Sequence, residues 1–91
     1  MYLLKTTRDF RKQFKKLPKE IQRRFNQQFR ILKDDPFHYG RPLGNKKFRE
    51  LKNEGFRVYF VIYKEQIVVL LIGVSNKKTQ QNVIDYVKRF I

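Results

Sequence analysis

Phe56-Arg57-Val58-Tyr59-Phe60-Val61-Ile62-Tyr63 is the run that decides the fold. It is dense in aromatic and β-branched residues, the composition that suits a pleated, half-buried surface, and it reads as the clearest strand in the chain. Lys64-Glu65 follows as a turn, and Gln66 to Val74 reads as the last strand. Its apolar core, Ile67 to Val74, is interrupted only by Gly73 and has the length of a buried strand. On the other side, Asn53-Glu54-Gly55 is a turn in which Gly55 is free to take positive φ. A short strand, Phe48 to Lys52, precedes it.

Further out, the periodicity changes from two to 3.6. Residues 2–5 form a short first strand, and Thr6 or Thr7 offers a hydroxyl N-cap. Phe10, Phe14 and Leu17 then mark one apolar stripe on a basic helix. Leu17-Pro18 ends it, because the residue before proline is pushed out of the helical region. Pro18 suits the first turn of a second helix, whose stripe is Ile21, Phe25, Phe29 and Leu32 and whose stop is Asp34-Asp35-Pro36. The stretch from Asp35 to Asn45 holds two prolines and two glycines and reads as a loop. Ser75 to Lys78 is a polar bend, Thr79 caps a closing helix, and Val83, Ile84, Val87 and Phe90 form one side of it. The order β-α-α-β-β-β-α implies one α+β domain over residues 1–91. It consists of an antiparallel sheet with an N-terminal helical hairpin on one face and a closing C-terminal helix. Phe10, Phe14, Phe25, Phe29, Leu51, Val58, Phe60 and Leu70 are its expected core.

The 91 residues include no cysteine and one histidine. That excludes a disulfide framework and a thiolate nucleophile, and the spacing of the remaining ligand types gives no metal site and calls for no cofactor. No segment approaches the roughly 20 apolar residues that span a bilayer. Met1-Tyr2-Leu3-Leu4-Lys5 is too short for a signal peptide, so a cytoplasmic protein with no membrane role is expected. Charge dominates the rest of the composition. Lys and Arg number 22 against eight acids, a formal +14. A small domain with that excess repels itself and attracts polyanions, which points to nucleic acid or an acidic protein as partner.

Three stretches, in register, resemble one family. Asp35-Pro36-Phe37-His38-Tyr39-Gly40-Arg41-Pro42-Leu43 is similar to the loop that follows the helical hairpin in RelE/ParE toxins. Glu50-Leu51-Lys52-Asn53-Glu54-Gly55-Phe56-Arg57-Val58-Tyr59-Phe60 resembles their "E-L-R … G-Y-R-V-Y-F" strands. The residues from Gly73 to Gln81 are similar to the "G-G-D-K-S-S-Q" stretch of the addiction-module killer, or HigB-like, branch. The resemblance covers nearly the whole chain. It implies the toxin of a type II toxin–antitoxin module, an endoribonuclease cutting mRNA at the ribosome and held in check by a cognate antitoxin. Two alternatives stay open: a ParE-like gyrase inhibitor without enzymatic activity, and a basic nucleic-acid-binding domain without toxicity.

RNA cleavage by attack of the 2′-hydroxyl, without a metal, needs a base, a cation on the phosphoryl oxygens and an acid for the leaving oxygen. Arg57 suits the cation role, because its fork pairs with two phosphate oxygens and keeps its charge. It matches the strand arginine of the family and alternates with Phe56 and Val58, which places it on the open face beside Tyr59. If Leu51 sits beside Phe56, Glu50 lies opposite Arg57, and then it pairs with Arg57, orients it or serves as a base. Lys77 matches the lysine of the killer branch, with Lys78 and Gln80 as helpers on phosphate or base. Lys46, Lys47, Arg49 and Lys52 form a second basic cluster, expected to contact the RNA backbone. Where the best-known ribosome-dependent members carry outward basic residues and a helical tyrosine, this sequence has Phe48, Glu50 and Val83. His38 reads as a surface histidine, and Tyr39, Tyr59 and Tyr63 as core.

Overall fold

The computed structural model describes residues 1–90. Strand β1 (Leu3–Thr6) leads through Thr7 into α1 (Arg8–Lys15), and the Thr7 hydroxyl accepts from the Phe10 N–H. Helix α2 (Lys19–Asp34) starts directly after Pro18. Then come β2 (Arg41–Pro42), β3 (Phe48–Asn53), β4 (Phe56–Tyr63), β5 (Val68–Asn76) and α3 (Gln80–Val87), with a 3-10 turn at Lys88–Phe90. The order matches the β-α-α-β-β-β-α expectation, with a two-residue strand added inside the expected loop. No helix among the described residues is long and apolar enough to cross a membrane.

The sheet runs β1-β5-β4-β3-β2. Pairs β3–β4 and β4–β5 are antiparallel, as is β2–β3, but β1 joins β5 in parallel. The helical hairpin carries the chain from the β1 edge to β2 at the opposite edge, and three antiparallel steps then bring β5 back beside β1 in the same direction.

One face carries the main core. Phe10 and Leu17 from α1, with Ile21, Phe25, Phe29 and Leu32 from α2, pack on Leu51, Val58, Phe60, Ile62, Val69 and Leu71. Of the expected core residues, Phe14 and Leu70 are half-buried and the others buried. The helices are not confined to that face. Helix α3 covers the other one, where Val87 packs with Phe48, Tyr59, Val61 and Ile72. Leu70 belongs to this second cluster, because its neighbours in alternation point the opposite way. The Phe90 side chain, expected on the same stripe, lies outside the described residues.

Two local features decide how α3 sits. The β4–β5 register shifts between Tyr59 and Phe60, where Tyr59 pairs with Gly73 and Phe60 with Leu71. This bulge puts Ile72 and Gly73 on the same side. A Cβ on Gly73 would lie 2.9 Å from Val87 Cγ1 and 3.2 Å from Val83 Cγ1. Glycine therefore lets α3 lie flat on the sheet. Helix α3 is also tied to α1 by the Tyr86 hydroxyl, which donates to Asp9 Oδ2 at 2.9 Å.

The turns differ from the sequence reading. In the β3–β4 turn the left-handed residue is Glu54, at φ 55°, and not Gly55. The β4–β5 turn takes four residues, closed by Ile67 at φ 56° with its N–H on the Lys64 carbonyl. The last strand therefore starts two residues later than expected and runs to Asn76, so Ser75 is in the sheet rather than in a bend. Thr79 begins α3 without a side-chain cap, because its hydroxyl is engaged with Asn76.

Candidate nucleic-acid interface

The sheet alternation gathers polar side chains on the α3 face, beyond the helix itself. Glu50 pairs with Tyr59 and Tyr59 with Gly73, while Lys52 pairs with Arg57 and Arg57 with Ser75. Glu50 is thus diagonal to Arg57, two residues from the register in which it lies opposite. Shifts of two preserve the face, so the two still meet. Arg57 Nε stands 3.7 Å from Glu50 Oε2, and Arg41 Nη1 from β2 stands 3.9 Å from Glu50 Oε1.

The face is not open at these residues. Glu50 has 3% of its side chain exposed and Arg57 11%. Arg57 Nε, Arg57 Nη1 and Glu50 Oε2 are buried, yet none makes a hydrogen bond. Buried polar atoms almost always find partners, so these three are open to a water or to a polar ligand group. A cleft of about 280 Å³ between α2 and β3, lined by Gln28, Tyr39, Arg41, Glu50, Leu51 and Lys52, reaches this cluster at Glu50.

Tyr59 and Ser75 were not in the sequence-derived site. Their hydroxyls share a buried hydrogen bond of 2.8 Å beside Arg57. Burial raises the Tyr59 pKa above its usual value and the Glu50 charge raises it further, while the Ser75 hydrogen bond and the Arg57 charge oppose the shift. Tyr59 stays a neutral phenol in the physiological range. Arg41 was also missed. Its signal lay in the chain geometry: Gly40 before it has φ 84°, and a Cβ there would come within 2.7 Å of the Glu50 carbonyl oxygen. The loop presses on β3 at that point and delivers Arg41 to Glu50.

The remaining expected residues divide into two ends. Lys52 lies exposed opposite Arg57, and Lys77, Lys78 and Gln80 follow Asn76, just past the Ser75 partner of Arg57. In that turn Asn76 Oδ1 accepts from the N–H groups of Lys78 and Thr79. Lys46 and Lys47 are exposed at the opposite end, where Ile62 N–H donates to the Lys47 carbonyl. The second basic cluster is therefore not one patch, because an extended strand separates its members by about 3.4 Å per residue. Arg49 departs furthest from expectation. It is 7% exposed, and its guanidinium donates to the carbonyls of Tyr39 at 3.3 Å and Gly40 at 2.9 Å, fastening the loop to β3.

No protein-family model and no curated relative matches the sequence. Solved structures do. The isolated E. coli RelE toxin superposes with a TM-score of 0.76 at 19% identity, covering 100% of both chains. The toxin–antitoxin complex RelBE2 from Mycobacterium tuberculosis gives 0.70 at 23% identity, over 82% of this chain and 90% of that one. The archaeal RelE–RelB complex from Pyrococcus horikoshii gives 0.68 at 20% identity, over 84% and 94%. With helices on both faces of a β1-β5-β4-β3-β2 sheet and this agreement along its length, the chain has the RelE toxin fold.

Proposed function

We propose that this protein is the toxin of a type II toxin–antitoxin module and that it cuts mRNA in the cytoplasm, at the ribosome. One observation carries the reading. A half-buried arginine and a buried carboxylate stand 3.7 Å apart with three polar atoms unpartnered, on a RelE fold and in a chain of net charge +14. Known solved relatives include complexes with an antitoxin, which supports an antitoxin as the protein partner here.

In this mechanism the guanidinium of Arg57 pairs with the phosphoryl oxygens as charge builds on them. The free Glu50 Oε2 accepts the proton of the attacking 2′-hydroxyl. The 2′-oxygen bonds to phosphorus and the bond to the 5′-oxygen breaks, leaving a 2′,3′-cyclic phosphate. Lys77, two residues past the Ser75 partner of Arg57, gives its proton to the departing 5′-oxygen. Lys52, Lys78 and Gln80 hold the flanking backbone and base, and no metal ion enters the chemistry. The test is single-turnover cleavage of mRNA on a translating ribosome. Arg57→Ala and Glu50→Gln each reduce the rate by roughly 10²-fold or more, the scale for losing one transition-state group. Ribosome binding changes little. A folded Arg57→Ala protein that cuts as fast as wild type removes this assignment.

A further inference from the structure

A second cleft lies at the far end of the sheet from Arg57. Lys46 and Lys47 before β3 and Lys64 after β4 line it, with Phe37 and His38 from the loop, and its volume is about 580 Å³. All three lysines are exposed, and among the described residues none has an acid within salt-bridge distance. One acid, Glu65, lines it with them. Phe37 is half-buried and its ring is held edge-on by Tyr2, with centroids 6.4 Å apart and planes at 72°. Arg49 forms the floor, already bound to the loop carbonyls that shape the wall.

We propose that this cleft is a second RNA-binding subsite, which grips single-stranded RNA several nucleotides away from the phosphate at Arg57. Three uncompensated ammonium groups around a fixed aromatic ring are the elements that bind a single strand, with charge on its backbone and a ring face for a base. An acidic peptide would use the charges and leave the ring idle. The spacing then sets a length. Arg57 faces α3, whereas Arg49 in the cleft pairs with Phe60 and faces the helical hairpin, so a strand joining them runs the length of β4, about 20 Å at roughly 3.4 Å per residue, and then rounds the sheet edge. A stacked strand advances about 3.4 Å per nucleotide, so the path takes more than about six nucleotides. Charges this far apart scarcely feel each other through solvent, because the Debye length is about 8 Å at physiological salt. A dodecanucleotide offers about ten registers to a three-nucleotide site, so only a gain above about tenfold reports physical bridging.

This inference rests on the RNA reading of the Arg57 site but does not require cleavage, so the probe is uncuttable 2′-O-methyl RNA. Fluorescence anisotropy at about 150 mM salt compares a trinucleotide with a dodecanucleotide. The proteins are wild type, the cleft variant Lys46→Gln/Lys47→Gln/Lys64→Gln, and a charge-matched control, Lys12→Gln/Lys19→Gln/Lys33→Gln. Circular dichroism checks that each is folded. Wild type and control are expected to bind the longer RNA at least about a hundredfold more tightly than the shorter, the scale of a two-site gain. The cleft variant loses most of that length advantage, and its salt slope on the dodecanucleotide falls by about two, or roughly 0.7 per lost phosphate contact. If the cleft variant and the control lose affinity equally at both lengths, the lysines act only as diffuse charge and the subsite is refuted. If the cleft variant instead weakens a dodecaglutamate peptide while keeping its RNA length advantage, the cleft belongs to a protein partner and the proposal falls. A failure of the mRNA-cutting reading shows separately, as wild-type protein that binds RNA with this length dependence but leaves cuttable RNA intact.

Discussion

At 3.7 Å, Arg57 Nε and Glu50 Oε2 are close enough to attract but too far apart to hydrogen-bond. Such a pair has lost much of its hydration without full repayment from its partner, which makes it receptive to a phosphate that satisfies the guanidinium. Tyr59 beside it is a different case. Its hydroxyl is satisfied by Ser75, and its raised pKa means that folding favours the neutral phenol. The unfolded chain ionises first on raising the pH, so this contribution is complete below the usual value of 10.0 and is lost as pH climbs from there toward the folded pKa. Tyr59→Phe is therefore expected to flatten the alkaline fall in stability, measured by urea unfolding between neutral pH and about pH 11. An alkaline slope identical to that of wild type would mean that Tyr59 is as easily ionised folded as unfolded. The sequence exposed Arg57 and Glu50 because strict alternation with Phe56, Val58 and Leu51 sets their face. It hid Ser75, because a bulge several residues away alters which strand positions face α3, and no local pattern announces a bulge.

Between elements, two glycines govern how closely neighbours approach. At Gly73 the limit is steric, since its added Cβ would press on Val83 and Val87 of α3. Gly73→Val is expected to cost about 1–3 kcal/mol through overpacking and to lift α3 from its face of the sheet. Equilibrium denaturation reads the first effect, and faster hydrogen exchange confined to residues 80–87 reads the second. At Gly40 the limit is twofold: a φ of 84° and a Cβ that would meet the Glu50 carbonyl oxygen at 2.7 Å. Gly40→Ala is expected to cost more than about 1 kcal/mol and to loosen Arg41 from Glu50. Stability equal to wild type would show that the loop does not need this close approach. Helix stripes and the β4 run were readable because their periodicities are long and regular. The α3 face was not, because Tyr59, Val61 and Ile72 form a second apolar surface only once the sheet is assembled. Arg49 misled for a related reason. Its charge suggested solvent, but its position in β3 aims it at the carbonyls of a loop that folds back from ten residues earlier.

Over the whole molecule, 22 basic and eight acidic side chains share a body with principal extents of 32 × 26 × 22 Å. The overall charge was readable from composition, while its division between the Arg57 end and the Lys64 end needed the strand register. Few of the cations are neutralised internally; the exposed Glu20 pairs with Arg23 at 2.7 Å and Arg24 at 3.4 Å, and Glu54 with Arg24 at 3.3 Å. Exposed pairs of this kind contribute little, roughly 0–1 kcal/mol. Repulsion among the rest acts on the folded state more than on the expanded chain, where the same charges lie further apart. Salt weakens both effects, since the Debye length shrinks from about 10 Å at 0.1 M to about 3 Å at 1 M. The surplus of cations decides the sign: the repulsion is larger than the attraction, so added salt should stabilise the isolated protein. Thermal unfolding by circular dichroism in sodium chloride, from about 50 mM to 500 mM, is expected to raise Tm. Each kcal/mol of relieved repulsion corresponds to about 4–8 °C in a domain of this size. An acidic partner segment should raise Tm further at micromolar concentration, because it places its countercharge directly on the surface and adds binding free energy to the folded state. A Tm that falls with salt would mean that the few ion pairs outweigh fourteen uncompensated charges.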